Sequence, residues 1–161
     1  MDRHLISRAV QEVGELLALE DLTLGTAESC TGGLIASTLT DVSGSSNWFR
    51  GAVVAYDNEI KRDVLGVEQG VLDEHGAVSE PVVQAMAQGA AKVLGTDVNV
   101  AVSGIAGPTG GTPDKPVGTV WVAFSWPGGT RTRSYRFNGD RDAVKAQTVM
   151  AVVNGLLSVL R

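Results

Sequence analysis

Three side chains able to do nucleophilic or acid–base work stand in a row at Ser29, Cys30 and Thr31. Gly32 and Gly33 follow them, and Lys61 lies further along the chain. Serine with lysine is a complete hydrolytic set. A neutral lysine takes the serine proton, the alkoxide attacks a carbonyl carbon, and backbone N–H groups hold the oxyanion. Lysine ordinarily titrates near pH 10.4, and bringing it close to neutrality costs about 4 kcal/mol, which burial or a cationic neighbour must supply. Cys30 is the rival nucleophile, but neither His4 nor His75 falls in a context that would activate it. The two glycines fall where a helix would begin, so free amides and the positive end of a helix dipole can face an anion. The plainer alternative is that Ser29 or Thr31 caps the helix and the glycines permit the turn.

The elements around this turn follow from apolar spacing. Leu22, Leu24 and the small residues after them form a short buried strand, and Leu34, Ile35, Leu39 and Val42 recur at helical intervals. An amphipathic helix over residues 2–20 covers the sheet. A Ser/Gly loop leads to a strand over residues 50–56, after which Asn58 is expected to cap a short helix with Lys61 on its first turn. In a parallel α/β sheet the strand ends on one edge converge, so Ser29 and Lys61 could meet outside the carboxyl ends of their strands. Ser79-Glu80-Pro81 opens another helix, and the β-branched run from Asp97 to Val102 is a central strand.

That strand runs into a second glycine-rich stretch, Ser103 to Gly118. It has neither a G-K-[ST] ending nor a G-x-G-x-x-G leading to a helix. What it offers is backbone amides and the hydroxyls of Ser103, Thr109 and Thr112, which can surround a phosphate or carboxylate. A long structureless stretch in a compact domain is usually functional; a surface loop without ligand is the alternative. Residues 119–125 and 130–137 form a hairpin, with Arg131, Arg133 and Arg136 suited to a charged edge strand. The last helix follows, capped by Asn138 or Asp140. It is apolar on more than one face, so it is expected to pack on the sheet and on a second copy of the chain, as a homodimer or higher homo-oligomer. The whole, residues 1–161, is expected to be a single α/β domain. It should be a three-layer α/β/α sandwich on a mixed five-stranded sheet, mostly parallel with one antiparallel hairpin strand.

Composition narrows the chemistry. A formal net charge of −5 disfavours nucleic acid as a partner, although a few local cations could hold a small anion. One cysteine excludes an internal disulfide and a thiolate zinc site and fits a reducing compartment. No apolar run approaches the roughly 18 residues of a membrane helix, so a soluble, cytoplasmic protein without metal or cofactor is expected.

Six segments in order resemble the CinA C-terminal family, the nicotinamide-nucleotide amidohydrolases. They are Ala27 to Gly33, Tyr56 to Lys61, Gly76 to Pro81, Ser103 to Pro108, Lys115 to Val120 and Gly139 to Arg141. The resemblance implies a metal-independent deamidase converting nicotinamide mononucleotide and water to nicotinic acid mononucleotide and ammonia. It makes Ser29 the nucleophile and Lys61 its base, with Tyr56 close to the pair. Cys30, Thr31, Gly32 and Gly33 would lie near the amide, and Ser103, Gly104, Gly107, Thr109, Gly110 and Gly111 around the ribose phosphate. Arg141 is a candidate phosphate partner, since guanidinium matches phosphate oxygens bidentately. Asp57 stands where family members often have serine or threonine, and a carboxylate there would raise the Lys61 pKa unless it points away. A pyridine-nucleotide-binding regulatory module without turnover is the alternative.

Overall fold

The computed structural model describes all 161 residues. In chain order the elements are α1 (Arg3–Leu19), β1 (Leu24–Glu28), α2 (Leu34–Thr40), β2 (Phe49–Val54), α3 (Asn58–Asp63) and α4 (Gln69–His75). They continue with α5 (Glu80–Leu94), β3 (Val98–Gly104), β4 (Thr119–Trp126), β5 (Gly129–Arg136) and α6 (Arg141–Leu160). The strands pair in the order β2-β1-β3-β4-β5. β1 is parallel to both its neighbours, whereas β3–β4 and β4–β5 are antiparallel.

The sheet is therefore mixed, its pairings evenly divided and so not mostly parallel, while β4 is the one strand that runs against the others, as expected of a hairpin strand. The connections explain this. α2 lies between β1 and β2, and α3 to α5 lie between β2 and β3, so the chain crosses a face and re-enters in the same sense. β3 returns as β4 through a loop with no helix, and β4 turns into β5 through Pro127-Gly128, so both returns reverse direction.

Side-chain alternation along the strands builds a core on each face. Val98, Val100 and Val102 face one way, into a cluster with Val10, Val13 and Leu17 of α1, Ile35 and Leu39 of α2, and Val149 to Leu156 of α6. On the other face Ala27, Ala101 and Ala123 lie in one row across three strands, beneath Val83, Met86 and Ala90 of α5. Three methyl side chains in that row let α5 lie close to the sheet. Helices cover both faces. By length and mean composition α6 could cross a membrane, because Gln147, Thr148 and Asn154 interrupt its apolar run without lowering the average far. Its buried valines and leucines make it a core helix instead.

One helix start differs in detail from expectation, and another is decided between two expected caps. Asp57, not Asn58, caps α3, its carboxylate accepting from Glu59 N–H at 2.8 Å, and Lys61 falls in the last turn of that helix. Asp140 is the cap of α6, accepting from Ala143 N–H at 2.9 Å, which makes Arg141 its first residue.

α5 also fixes the segment that carries Lys61. A Cβ placed on Gly89 would lie 2.0 Å from the Leu65 carbonyl oxygen, just beyond α3. The Lys61 carbonyl in turn accepts from Val67 N–H at 3.0 Å. Gly89→Ala must therefore push α5 and this segment apart. It should cost about 1–3 kcal/mol, read as a lowered midpoint of chemical denaturation.

Candidate active site

Ser29 directly follows β1, and its N–H donates to the Val102 carbonyl at 3.1 Å, carrying the β1–β3 ladder one step past the strand. Ala55 N–H donates to the Glu28 carbonyl at 2.8 Å, bringing the end of β2 alongside. α3 then turns Lys61 back toward the ends of β1 and β2. Its side chain is only 1% exposed, and Nζ donates to Ser29 Oγ and to the Tyr56 carbonyl, both at 2.9 Å. The contact between Tyr56 and Lys61 thus runs through the backbone of Tyr56; its ring is exposed.

Burial lowers the Lys61 pKa below the ordinary lysine value, since no carboxylate compensates the ammonium by direct contact; the Asp57 charge, and to a lesser degree Cys30, act the other way. The Asp57 carboxylate is engaged at the α3 N-terminus and does not pair with Nζ, yet its charge still acts on the amine as expected of a carboxylate there. Burial pushes the Cys30 thiol up to about 11, only partly opposed by a backbone hydrogen bond. A thiol so held is protonated at neutral pH and a poor nucleophile.

Sequence reasoning missed the role of Glu28. Its carboxylate is fully buried and accepts from Thr31 Oγ1 at 2.7 Å, Thr26 Oγ1 at 3.1 Å, and the N–H groups of Gly33, Ile35 and Ala36 at 3.1, 2.9 and 2.9 Å. The start of α2 therefore already holds an anion from within the chain. Gly32 N–H is engaged as well, donating to the Ser29 carbonyl at 3.1 Å. The glycines are needed for shape, with φ of 59° at Gly32 and 99° at Gly33, where a side chain would be strained. The amides of Cys30 and Thr31 donate to no backbone acceptor, and that of Cys30 lies against its own thiol. A glutamate ending a strand of otherwise small and apolar residues was the one signal for this in the sequence.

A cavity of about 380 Å³ opens over the pair. Of the residues singled out in the sequence, Ser29, Cys30, Tyr56, Lys61, Ser103, Gly104, Gly107, Thr109, Gly110 and Arg141 line it. Thr31, Gly32, Gly33 and Gly111 do not, while Asn58, Ala77, Val78, Ile105 and Ala106 join the wall. Arg141 donates to the Gly107 carbonyl at 2.8 Å and to the Tyr56 hydroxyl at 3.3 Å, tying the loop to the end of β2. The amides of Ala106, Gly107, Thr109 and Gly110 donate to no protein acceptor. No carboxylate lines the wall, so in a chain of net charge −5 the cavity presents Arg141 and unpaired amides to a ligand.

Strand ends that bring a buried serine–lysine pair beneath such a wall define a class: an α/β domain with a serine–lysine site at the carboxyl edge of its sheet. The chain belongs to the CinA C-terminal domain family, which matches residues 6–160. It is 52% identical over 138 residues to the nicotinamide-nucleotide amidohydrolase PncC of Escherichia coli K12, covering 85% of this chain and 84% of that protein. It is 53% identical over 146 residues to a CinA-like protein of Akkermansia muciniphila, covering 90% of this chain and 35% of that protein. The chain thus spans about a third of the length of such longer relatives. A crystal structure of a CinA superfamily protein from Klebsiella pneumoniae superposes with a TM-score of 0.92 at 39% identity, covering 96% of this chain and 97% of that one. The competence/damage-inducible protein of Agrobacterium tumefaciens superposes at 0.94 and 37% identity, covering 97% and 96%.

The state of Cys30 has a direct readout. Alkylation by iodoacetamide at pH 8, followed by mass spectrometry, should be slow compared with a free cysteine and should accelerate only as the pH nears the thiol's value of about 11. A rate at pH 8 equal to that of a model thiol would contradict a buried, protonated Cys30.

Proposed function

We propose that this chain hydrolyses the carboxamide of nicotinamide mononucleotide to nicotinic acid mononucleotide and ammonia, with Ser29 as nucleophile and Lys61 as its base. The observation that carries the reading is the buried Lys61 Nζ at 2.9 Å from Ser29 Oγ, in direct contact with no carboxylate that would hold it protonated. Neutral Lys61 takes the Ser29 proton and the alkoxide attacks the amide carbon. The oxyanion is assigned to the amides of Cys30 and Thr31, which no backbone carbonyl occupies. Lys61 returns the proton to the departing nitrogen, which leaves as ammonia from an acyl-serine ester. A water then hydrolyses that ester by the same proton path. Nucleophile and base are both side chains, so the proposed route uses no metal or cofactor.

The nucleotide phosphate is assigned to the amides of Ala106, Gly107, Thr109 and Gly110 together with Arg141, and a wall without carboxylates supports an anionic substrate. Identity to the Escherichia coli amidohydrolase over most of both chains supports the same reaction. The reaction is placed in the cytoplasm, where the lone Cys30 stays reduced. Binding without turnover is the second reading. Asp57 favours it, because its charge raises the Lys61 pKa against the effect of burial.

Ammonia release from nicotinamide mononucleotide separates the two. Wild type should release ammonia, and Ser29→Ala and Lys61→Met should each lower kcat by roughly 10²–10⁴-fold or more. Because the base must be neutral, kcat/KM should rise with pH on a limb centred below the ordinary lysine range. Asp57→Asn should move that limb to lower pH by removing the charge that raises the pKa. Nucleotide binding with no ammonia released by wild type would establish the silent module instead.

The proposal extends to assembly. A mostly apolar groove of about 660 Å³ lies between α6 and the edge strand β5, floored by Phe124, Tyr135, Phe137 and Met150 and rimmed by Arg131 and Arg133. A second copy of this acidic chain offers negative surface for that rim, so the groove is assigned to a homo-oligomer contact. Light scattering should give at least twice the 16.8 kDa of one chain, and Met150→Asp should reduce it to one. A monomeric wild type would refute the assignment.

A further inference from the structure

Lys115 opens a segment, Lys115 to Val120, that the serine–lysine chemistry leaves without a task. Its side chain is half-buried, and Nζ donates to the His75 carbonyl at 2.6 Å, close beside Gly76. His75 ends α4, so that carbonyl belongs to the unpaired, negative end of a helix, where a cation is favoured. Two residues on, Ala77 and Val78 form a wall of the cavity over Ser29. This is the only hydrogen bond between residues 75–79 and the loop 105–118.

At its other end the strap is stiff. Thr112 N–H donates to the Lys115 carbonyl at 2.9 Å, and Lys115 N–H donates to Thr112 Oγ1 at 3.0 Å. Gly111 packs so tightly on this turn that a Cβ there would sit 2.7 Å from Val117 N. Movement at Lys115 is therefore passed to Gly110 and its neighbours, the stretch with free amides. Arg141 holds the same stretch from the opposite side through the Gly107 carbonyl at 2.8 Å.

We propose that Lys115 is a positioning residue that sets the aperture of the substrate cavity, clamping the Ala77–Val78 wall to the amide-bearing loop so that those amides converge on the phosphate of a nucleotide. The inference rests on the nucleotide reading of the cavity given above. Lys115 is bonded to neither Ser29 nor Lys61, so its effect falls on the grip for the phosphate end and not on the bond-making step.

The test is Lys115→Met in the full chain. KM for nicotinamide mononucleotide should rise about tenfold or more, the scale of one lost charge-assisted hydrogen bond, with kcat within about threefold of wild type. Turnover of the dephosphorylated riboside should be unaltered, and Lys115→Arg should restore most of the KM. A merely structural role would lower the thermal midpoint and both substrates' rates together. Calorimetric Kd values for the mononucleotide, measured in the Ser29→Ala background with and without Lys115→Met, read the aperture with no turnover. An unchanged Kd, or equal losses with nucleotide and riboside, overturns the role of Lys115 while leaving the amidase standing. Failure of the Ser29→Ala protein to bind the mononucleotide at all overturns the nucleotide reading itself, and the proposal with it.

Discussion

Folding an amine almost wholly out of water, against one hydroxyl and one carbonyl, opposes its charged form, and the arrangement around the strand ends follows from that constraint. Lys61 must come from a helix that starts right after β2, so that its side chain reaches back over the end of β1. α5 closes on the segment just beyond α3, meeting the Leu65 carbonyl at Gly89, where no side chain would fit. Even the cap of α3 fits the requirement: the Asp57 carboxylate is engaged by a backbone amide and does not pair with the amine, although its charge is still felt there.

The nucleophile turn answers a second constraint, a buried negative charge. Glu28 lies out of water and is compensated by five donors, three of them amides at the start of α2. Such a network is rigid because releasing any donor leaves part of a buried carboxylate unsatisfied. Ser29 is the next residue in the chain, so its backbone inherits that rigidity. The same network takes the dipole of α2 away from any ligand and leaves the amides of Cys30 and Thr31 for one. Preorganised donors of this kind stabilise charge that develops during a reaction without reorganising when it appears.

Charge is also segregated. The chain is acidic overall, yet the cavity wall contains no carboxylate and gathers Arg141 and the unpaired amides of Ala106, Gly107, Thr109 and Gly110. Arg141 and Lys115 hold this amide-rich loop from two sides by bonding carbonyl oxygens, which fixes its shape without neutralising either cation. An anion entering there meets donors already in place.

Much of this was determined locally and is legible in the chain. Apolar spacing set the helices and strands to within a few residues, because side-chain period follows from backbone geometry. The rule that parallel strand ends converge was enough to expect Ser29 and Lys61 to meet. Other features needed the third dimension. The even division of parallel and antiparallel pairs depends on whether a connection crosses a face, which for the loop after β3 is not written in any periodicity. Gly32 and Gly33 read as an anion cradle because their sequence neighbours suggest one; only the folded turn shows Glu28 already filling it. Asp57 and Asn58 are equally good caps by residue type, and only the folded chain shows Asp57 in that place. Lys115 could be any surface lysine until α4 places the His75 carbonyl within its reach. Residue type and local spacing decide which groups the chain carries and in what elements. Which donor meets which acceptor depends on segments far apart in sequence, and only packing across the sheet decides it.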